Sequence, residues 1–225
     1  MEFFWYLEPL RELGFVASFV PRVEEVVGSY DKEEALAELE GFHRKAVEGL
    51  GFQWSQLWTA EQVHGAAVAV IKERQCREEG AIPGVDGLMT NDVSALLGIY
   101  TADCGLIWVA DRRTRAVSLL HSGRKGTEGG ILTKAVAEMA EQYGTVAEDL
   151  VVVLGPCIRP PNYEVDIASL IAKQARDAGV KDFYDSGICT GAEVSNYYSY
   201  RMEKGLTGRM LGLLASTNTI ASIEL

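Results

Sequence analysis

The sequence predicts a mixed α/β or α+β domain, layered, with mixed β-sheets flanked by helices and spanning residues 1–225 as one unit. Two observations predict it. Strand-like and helix-like segments are interspersed along the chain, and several strands meet as hairpins rather than through helical crossovers.

Taken in order, GFVASFV (14–20) has strand composition. A helix follows from Asp31, which can cap it with Glu34 three residues on, and Leu36, Leu39, His43, Ala46, Val47 and Leu50 recur at helical spacing. LWTAEQVHGAAVAVI (57–71) and SALLGIYTADC (94–104) read as strands, and residues 99–126 contain a two-stranded hairpin. A helix over 128–143 places Ile131, Leu132, Ala135, Val136, Met139 and Tyr143 on one face and stops at Gly144. DLVVVLG (149–155) is a buried strand, and the Pro-dense GPCIRPPNY (155–163) is a loop. A third helix starts at Asp166, with Ile167, Leu170, Ile171, Ala175 and Ala178 before Gly179; GRMLGLLAS is a final strand.

A net charge of -11 argues against a general grip on nucleic acid or an anionic membrane, while leaving room for a local basic pocket. The N-terminal stretch lacks the pattern of a signal peptide, and no apolar run reaches membrane-spanning length. Cys76, Cys104, Cys157 and Cys189 show no CxxC spacing and read as reduced thiols of a cytoplasmic protein, Cys157 and Cys189 packing in the core. GxGxxG and P-loop patterns are absent. Oligomeric state is not legible.

The chemistry concentrates in the hairpin. A turn centred on Arg112-Arg113 sets Cys104 directly opposite His121, with Cβ atoms ~4.5–5.5 Å apart, over an apolar floor of Leu106, Trp108, Val117 and Leu119. His64, at a strand followed by glycine, is the third member. Two imidazoles and a thiolate suit a zinc ion with its fourth coordination position open. They also suit a metal-free cysteine hydrolase or amidase in which His121 serves Cys104 as base. His43 falls on the apolar stripe of its helix and reads as structural. Asp103 points away from the pair on a regular strand and reads as a supporting carboxylate.

QVHG (62–65), VDGLMTND (85–92), TADC (101–104), HSGRKG (121–126), GPCI with NYEV (155–165), CT (189–190), SYR (199–201) and TGR (207–209) occur in an order that resembles the YfiH-like laccase-domain family. Its members were first labelled polyphenol oxidases and are now described as purine nucleoside phosphorylases with adenosine deaminase activity. The resemblance implies a layered α/β fold and zinc ligands at His64, Cys104 and His121, which would also be the catalytic centre. It implies purine nucleoside and phosphate as small-molecule substrates. Arg124, Lys125, Arg201 and Arg209 are then the candidate phosphate-binding cations, and Gln62 and Asp86 enter through motif match alone. A literal multicopper laccase is excluded because the chain has only three histidines; copper would enter only by adventitious replacement of zinc. The family's HAGWRG reads HSGRKG here, its N-terminal TRxGGxS survives only as Arg22, and a segment after NYEV is lacking. Those departures keep a third reading open, a non-catalytic member that binds zinc and a nucleoside.

Overall fold

In a computed structural model, residues 4–72 and 80–217 are described; Cys76 lies outside them. Among the described residues, ten strands form two mixed sheets stacked between helices. The first sheet has the order β1-β10-β5-β2, from β1 (Val16–Val20), β10 (Met210–Ala215), β5 (Leu96–Thr101) and β2 (Leu57–Thr59). The second is β3-β4-β7-β6-β8-β9, from β3 (Val68–Val70), β4 (Gly87–Thr90), β7 (Val117–Ser122), β6 (Gly105–Asp111), β8 (Leu150–Leu154) and β9 (Asp182–Asp185). Parallel pairing joins β2 to β5, β3 to β4 and β8 to β9; the other ladders are antiparallel. The expected class holds: mixed sheets, layered, flanked by helices.

The short helix α1 (Glu8–Glu12) leads into β1, and α2 (Lys32–Gly49) follows it. The inter-sheet core holds Phe19, Leu97, Ile99, Leu106, Trp108, Val117, Leu119, Met210 and Leu214. Trp108 is wholly buried there, and its indole N–H donates to the Leu213 carbonyl at 3.0 Å, which removes the penalty of burying that polar group. Beyond the larger sheet, α4 (Ile131–Tyr143) and α5 (Ile167–Asp177) bury Ile131, Leu132, Ala135, Met139, Ile167, Ile171 and Ala175. Beyond the smaller sheet, α2 contributes Val47 to a third cluster with Leu57, Leu96 and Leu211.

The helix ends follow the local chemistry. Asp31 Oδ1 accepts from the amides of Glu33 and Glu34 at 2.8 and 2.9 Å, and Asp166 caps α5 through Ser169. Glu34 does not return to the Asp31 amide as a capping box would require. Ser29 intervenes, accepting from that amide and donating to Glu34. The helix expected over 128–143 begins at Ile131, because Gly129 and Gly130 separate it from a short α3 (Arg124–Glu128). Gly144 closes α4 in the left-handed conformation, as expected.

Three corrections bear on the site. Residues 57–71 are not one strand: β2 and β3 lie in different sheets, because Gln62 and His64 adopt left-handed backbone (φ 64° and 61°) and turn the chain between them. The 94–104 strand ends at Thr101, and β4 and β9 went unread. In the hairpin, His121 pairs with Leu106, not Cys104. The connection centres on Arg113 and Thr114, whose amides the Asp111 carboxylate accepts, and Arg115 takes φ 63° to re-enter the ladder. The register is thus displaced by two residues. An even displacement keeps every side chain on its face, so the apolar floor holds while Cys104 falls just before β6.

Candidate metal centre and cavity

His64, Cys104 and His121 come from three segments: the loop between β2 and β3, the turn before β6, and the end of β7. Their donor atoms all lie within 4.8 Å of one another. The two imidazoles meet edge to face, ring centroids 5.0 Å apart. His121 is buried, Cys104 half-buried and His64 exposed, so the trio opens to one side.

Asp86, fully buried at the start of β4, organises two of the three. Its Oδ1 accepts the His64 amide at 2.9 Å and sits 2.8 Å from His121 Nδ1; its Oδ2 accepts the Gly65 amide at 2.6 Å. Those amides hold His64 in its left-handed conformation, a cost repaid by charge-assisted hydrogen bonds. With Nδ1 committed to a carboxylate, Nε2 is the nitrogen left for a metal, the usual way a ligating histidine is oriented. Burial alone would raise the Asp86 carboxyl, but the bonds from His121, Gly65 and His64 hold it below the usual carboxylate range.

The sulfur responds to the same surroundings. Burial by itself would push the Cys104 thiol up; the His121 imidazolium and hydrogen bonds from both histidines bring it down to about 6. Burial would likewise lower His121, but the Cys104 thiolate and Asp86 raise it to about 9. A thiolate with two oriented imidazoles is a donor set suited to zinc.

Space for the trio comes from Gly123. A Cβ there would stand 2.9 Å from Cys104 Sγ and 3.3 Å from His64 Cδ2. One turn on, a Cβ at Gly126 would meet the Gly65 carbonyl at 2.6 Å, so α3 lies directly against the His64 loop.

Asp103 precedes the thiol with φ 86°. Its carboxylate accepts from the Thr190 hydroxyl and the Arg201 amide, both at 2.7 Å, and its carbonyl accepts the Ile158 amide at 2.8 Å. The expectation that it points away on a regular strand does not apply, since Asp103 sits in the turn between β5 and β6 and lines the same cavity as the trio; its bonds brace that turn. Gln62 does for the neighbouring wall what a strand partner would, its side chain bonding both the N–H (3.0 Å) and the carbonyl (2.5 Å) of Tyr100.

The trio lies in a cavity of about 900 Å³. Arg124, Lys125, Arg201, Arg209 and Gln62 all line it, whereas Asp86 does not and reaches the trio only through His121 and the His64 and Gly65 amides. Lys32, Lys204 and the ring of Tyr100 join them without any motif to announce them, as do the rings of Tyr163 and Tyr200 from within the NYEV and SYR motifs. Arg124 is ion-paired to Glu128 at 3.0 Å and lies 3.9 Å from Glu164; Arg201 is paired to Glu164 and stacks 4.9 Å over Tyr163. Arg22 does not line the cavity; it is paired to Glu203 at 2.7 Å. Cys157 is buried as expected, its thiol pushed up to about 12 by desolvation, whereas Cys189 is only half-buried. His43 is buried in α2 as expected.

The family model described as multi-copper polyphenol oxidoreductase laccase matches residues 26–168 and 162–217. Purine nucleoside phosphorylase YlmD of Geobacillus stearothermophilus is 29% identical over 209 residues, covering 76% of each chain. Its namesake in Bacillus subtilis is 29% identical over 197 residues, 71% of this chain and 70% of its own. The crystal structure of YlmD from G. stearothermophilus superposes with a TM-score of 0.78 at 26% identity, over 91% of this chain and 93% of that one. The Bacillus licheniformis hypothetical protein YfiH matches with a TM-score of 0.78 at 19% identity, over 92% and 90%, a likeness of fold. No helix of the described residues is long and apolar enough to cross a membrane.

Proposed function

The chain belongs to the family described as multi-copper polyphenol oxidoreductase laccase, and from that premise we propose that it is a zinc-dependent purine nucleoside phosphorylase that also deaminates adenosine. Adenosine, inosine and methylthioadenosine are its proposed substrates, with phosphate as co-substrate. The observation that carries the reading is the convergence of His64, Cys104 and His121 within 4.8 Å in a large cavity edged by basic and aromatic side chains. One sulfur and two nitrogens make one zinc-type site; with His43 buried in α2, no histidine remains to build a copper cluster. Copper belongs to this site only as an adventitious substitute.

A bound zinc supplies Lewis acidity at this point of the cavity. The chain's own residues do the rest. Asp86 keeps His121 in one tautomer, and Gln62 fixes the wall that carries Tyr100. The faces of Tyr100, Tyr163 and Tyr200 accept a purine ring by stacking. Arg124, Lys125, Arg201 and Arg209 supply positive charge for phosphate in an otherwise acidic protein. In phosphorolysis a phosphate oxygen bonds to the anomeric carbon as the bond to the purine nitrogen breaks. The base leaves with that electron pair and a proton, and the sugar 1-phosphate remains.

The test is incubation with inosine or adenosine plus phosphate, followed by chromatography, alongside zinc analysis of protein purified without added metal. Free base and deaminated product, with stoichiometric zinc lost in His64→Ala, are expected. Nucleoside binding without turnover at high enzyme concentration would instead leave a binding protein. A second reading has its own support in the Cys104 thiol lowered to about 6 beside an imidazole raised to about 9, the ion pair of a cysteine hydrolase. Metal-free protein labelled rapidly by iodoacetamide at Cys104 would favour it.

A further inference from the structure

The six basic side chains of the cavity are not equivalent. Arg124 and Arg201 share Glu164, and Arg124 has Glu128 as well. Lys125 and Lys204 are exposed. Lys32 and Arg209 differ from all four: they are half-buried and, among the described residues, neither is ion-paired to a carboxylate. Their hydrogen bonds go to backbone carbonyls instead. Lys32 Nζ donates to Glu61 at 2.6 Å, and Arg209 Nη1 donates to Thr207 and Gly208 at 3.2 and 2.8 Å.

Arg209 also acts on Lys32. Burial first, then Arg209, pulls the Lys32 ammonium below its usual range, with Asp86, Glu61 and Glu33 opposing from beyond ion-pair distance. Burial lowers the Arg209 guanidinium too, with the Tyr200 phenol and then the Cys104 sulfur opposing. Two half-desolvated like charges lining one cavity raise the free energy of the site, and an anion held by both removes that penalty. The backbone that carries each is held in place. Lys32 is the first residue of α2, fixed by the Asp31 cap. Arg209 follows Gly208, where a Cβ would run into the Tyr198 ring at 2.3 Å, so the segment is pressed against that ring. His43, on the same helix as Lys32, bears on the Arg209 backbone.

We propose that Lys32 and Arg209 form the clamp that holds orthophosphate beside His64, Cys104 and His121, with the four other cations forming the rim outside it. The assignment rests on the phosphorylase reading above and replaces its undivided set of cations with one pair, half of which no family motif contains. The clamp would hold the attacking oxygen next to the metal centre, and the rim would steer anions inward.

Orthophosphate binding to the zinc-loaded protein, measured by isothermal titration, tests this in wild type, Lys32→Gln and Arg209→Gln. Arg44→Gln, on the exposed face of α2 and paired to Glu40, is the control. Losing one charge-assisted contact should weaken phosphate binding about tenfold or more in each clamp variant and leave the control unchanged. Where turnover is measured, KM for phosphate rises while KM for nucleoside holds. Thermal unfolding without phosphate verifies the fold, and Lys32→Gln alone suffices should Arg209→Gln not fold. Wild-type affinity in a folded Lys32→Gln overturns the clamp; so does a protein that binds adenosine monophosphate but not orthophosphate, which would mean a substrate-borne phosphate. Phosphate bound through Lys32 with no base released from inosine leaves the clamp and removes the phosphorylase reading. Undisturbed phosphorolysis in both variants does the reverse.

Discussion

Asp86 Oδ1 lies 2.8 Å from His121 Nδ1, and the same oxygen accepts the His64 amide, so one buried carboxylate orients two donors that stand 57 positions apart in the chain (from 64 to 121). Replacing it leaves both donors present but no longer aimed. Asp86→Ala is therefore expected to reduce zinc affinity by about 10–100-fold, the usual cost of losing a carboxylate behind a ligating histidine. Competition against a chromophoric chelator measures it. Unchanged affinity in a folded variant would show that the ligands orient themselves.

Gly123 makes a different demand, for empty volume. Alanine there puts a methyl 2.9 Å from Cys104 Sγ, inside contact distance, and the sulfur or the His64 ring must yield. Gly123→Ala is expected to lose most of its zinc at purification while its unfolding midpoint without metal stays near wild type, because the atoms it crowds belong to Cys104 and His64 and not to the apolar core. Gly126→Ala presses on the Gly65 carbonyl at 2.6 Å, which is backbone, and is expected to lower both zinc content and unfolding midpoint. Equal zinc content in the two variants and wild type would refute the steric account.

Much of the architecture was legible because local signals agreed with tertiary burial. Asp31 and Asp166 cap their helices, Gly144 ends one, and β8 and β10 are continuous apolar runs buried on both faces. Cys104 and His121 could be placed on one face because that depends only on strand parity, which survived a two-residue error in register. What failed depended on backbone that no side-chain pattern announces. Gln62, His64 and Asp103 hold positive φ through contacts with Val85, Asp86, Thr190 and Arg201, all distant in sequence. The 57–71 segment consequently looked like one strand. β4 and β9, four residues each, are too short to give a periodic signal. Nothing in the sequence marks Lys32, since only the fold brings it to the cavity that Arg209 also lines.

His43 yields a prediction about acid stability. Burial holds its imidazole down at about 4 from the ordinary 6.5, and its Nε2 has no hydrogen-bond partner among the described residues. The folded-state value is depressed, so below about 6.5 the unfolded chain takes up a proton that the native state refuses. Stability from this residue is fully present above about 6.5 and is lost as pH falls toward 4, by about 2–3 kcal/mol across that window. Urea unfolding should show wild type losing more stability than His43→Gln between about pH 7 and pH 5. Parallel curves for the two proteins would mean that His43 protonates in place.

Asp103 separates a supporting role from a chemical one. Its two carboxylate oxygens are both occupied, one by the Thr190 hydroxyl and one by the Arg201 amide, so it ties the segment carrying Arg201 and Lys204 to the turn carrying Cys104. Asn in its place keeps an acceptor for Thr190 but sets an NH₂ against the Arg201 N–H, donor facing donor. Leaving that part-buried amide unsatisfied should cost about 1 kcal/mol, the low end for a lost partner. Asp103→Asn is thus expected to unfold at lower urea concentration and to exchange the Arg201 amide hydrogen faster. Zinc binding should weaken with it, because Cys104 is the next residue. A carboxylate acting as proton donor to the leaving base would behave otherwise: kcat would collapse while stability, zinc affinity and Arg201 exchange stayed as in wild type. That second pattern would reassign Asp103 from holding the turn to taking part in the reaction.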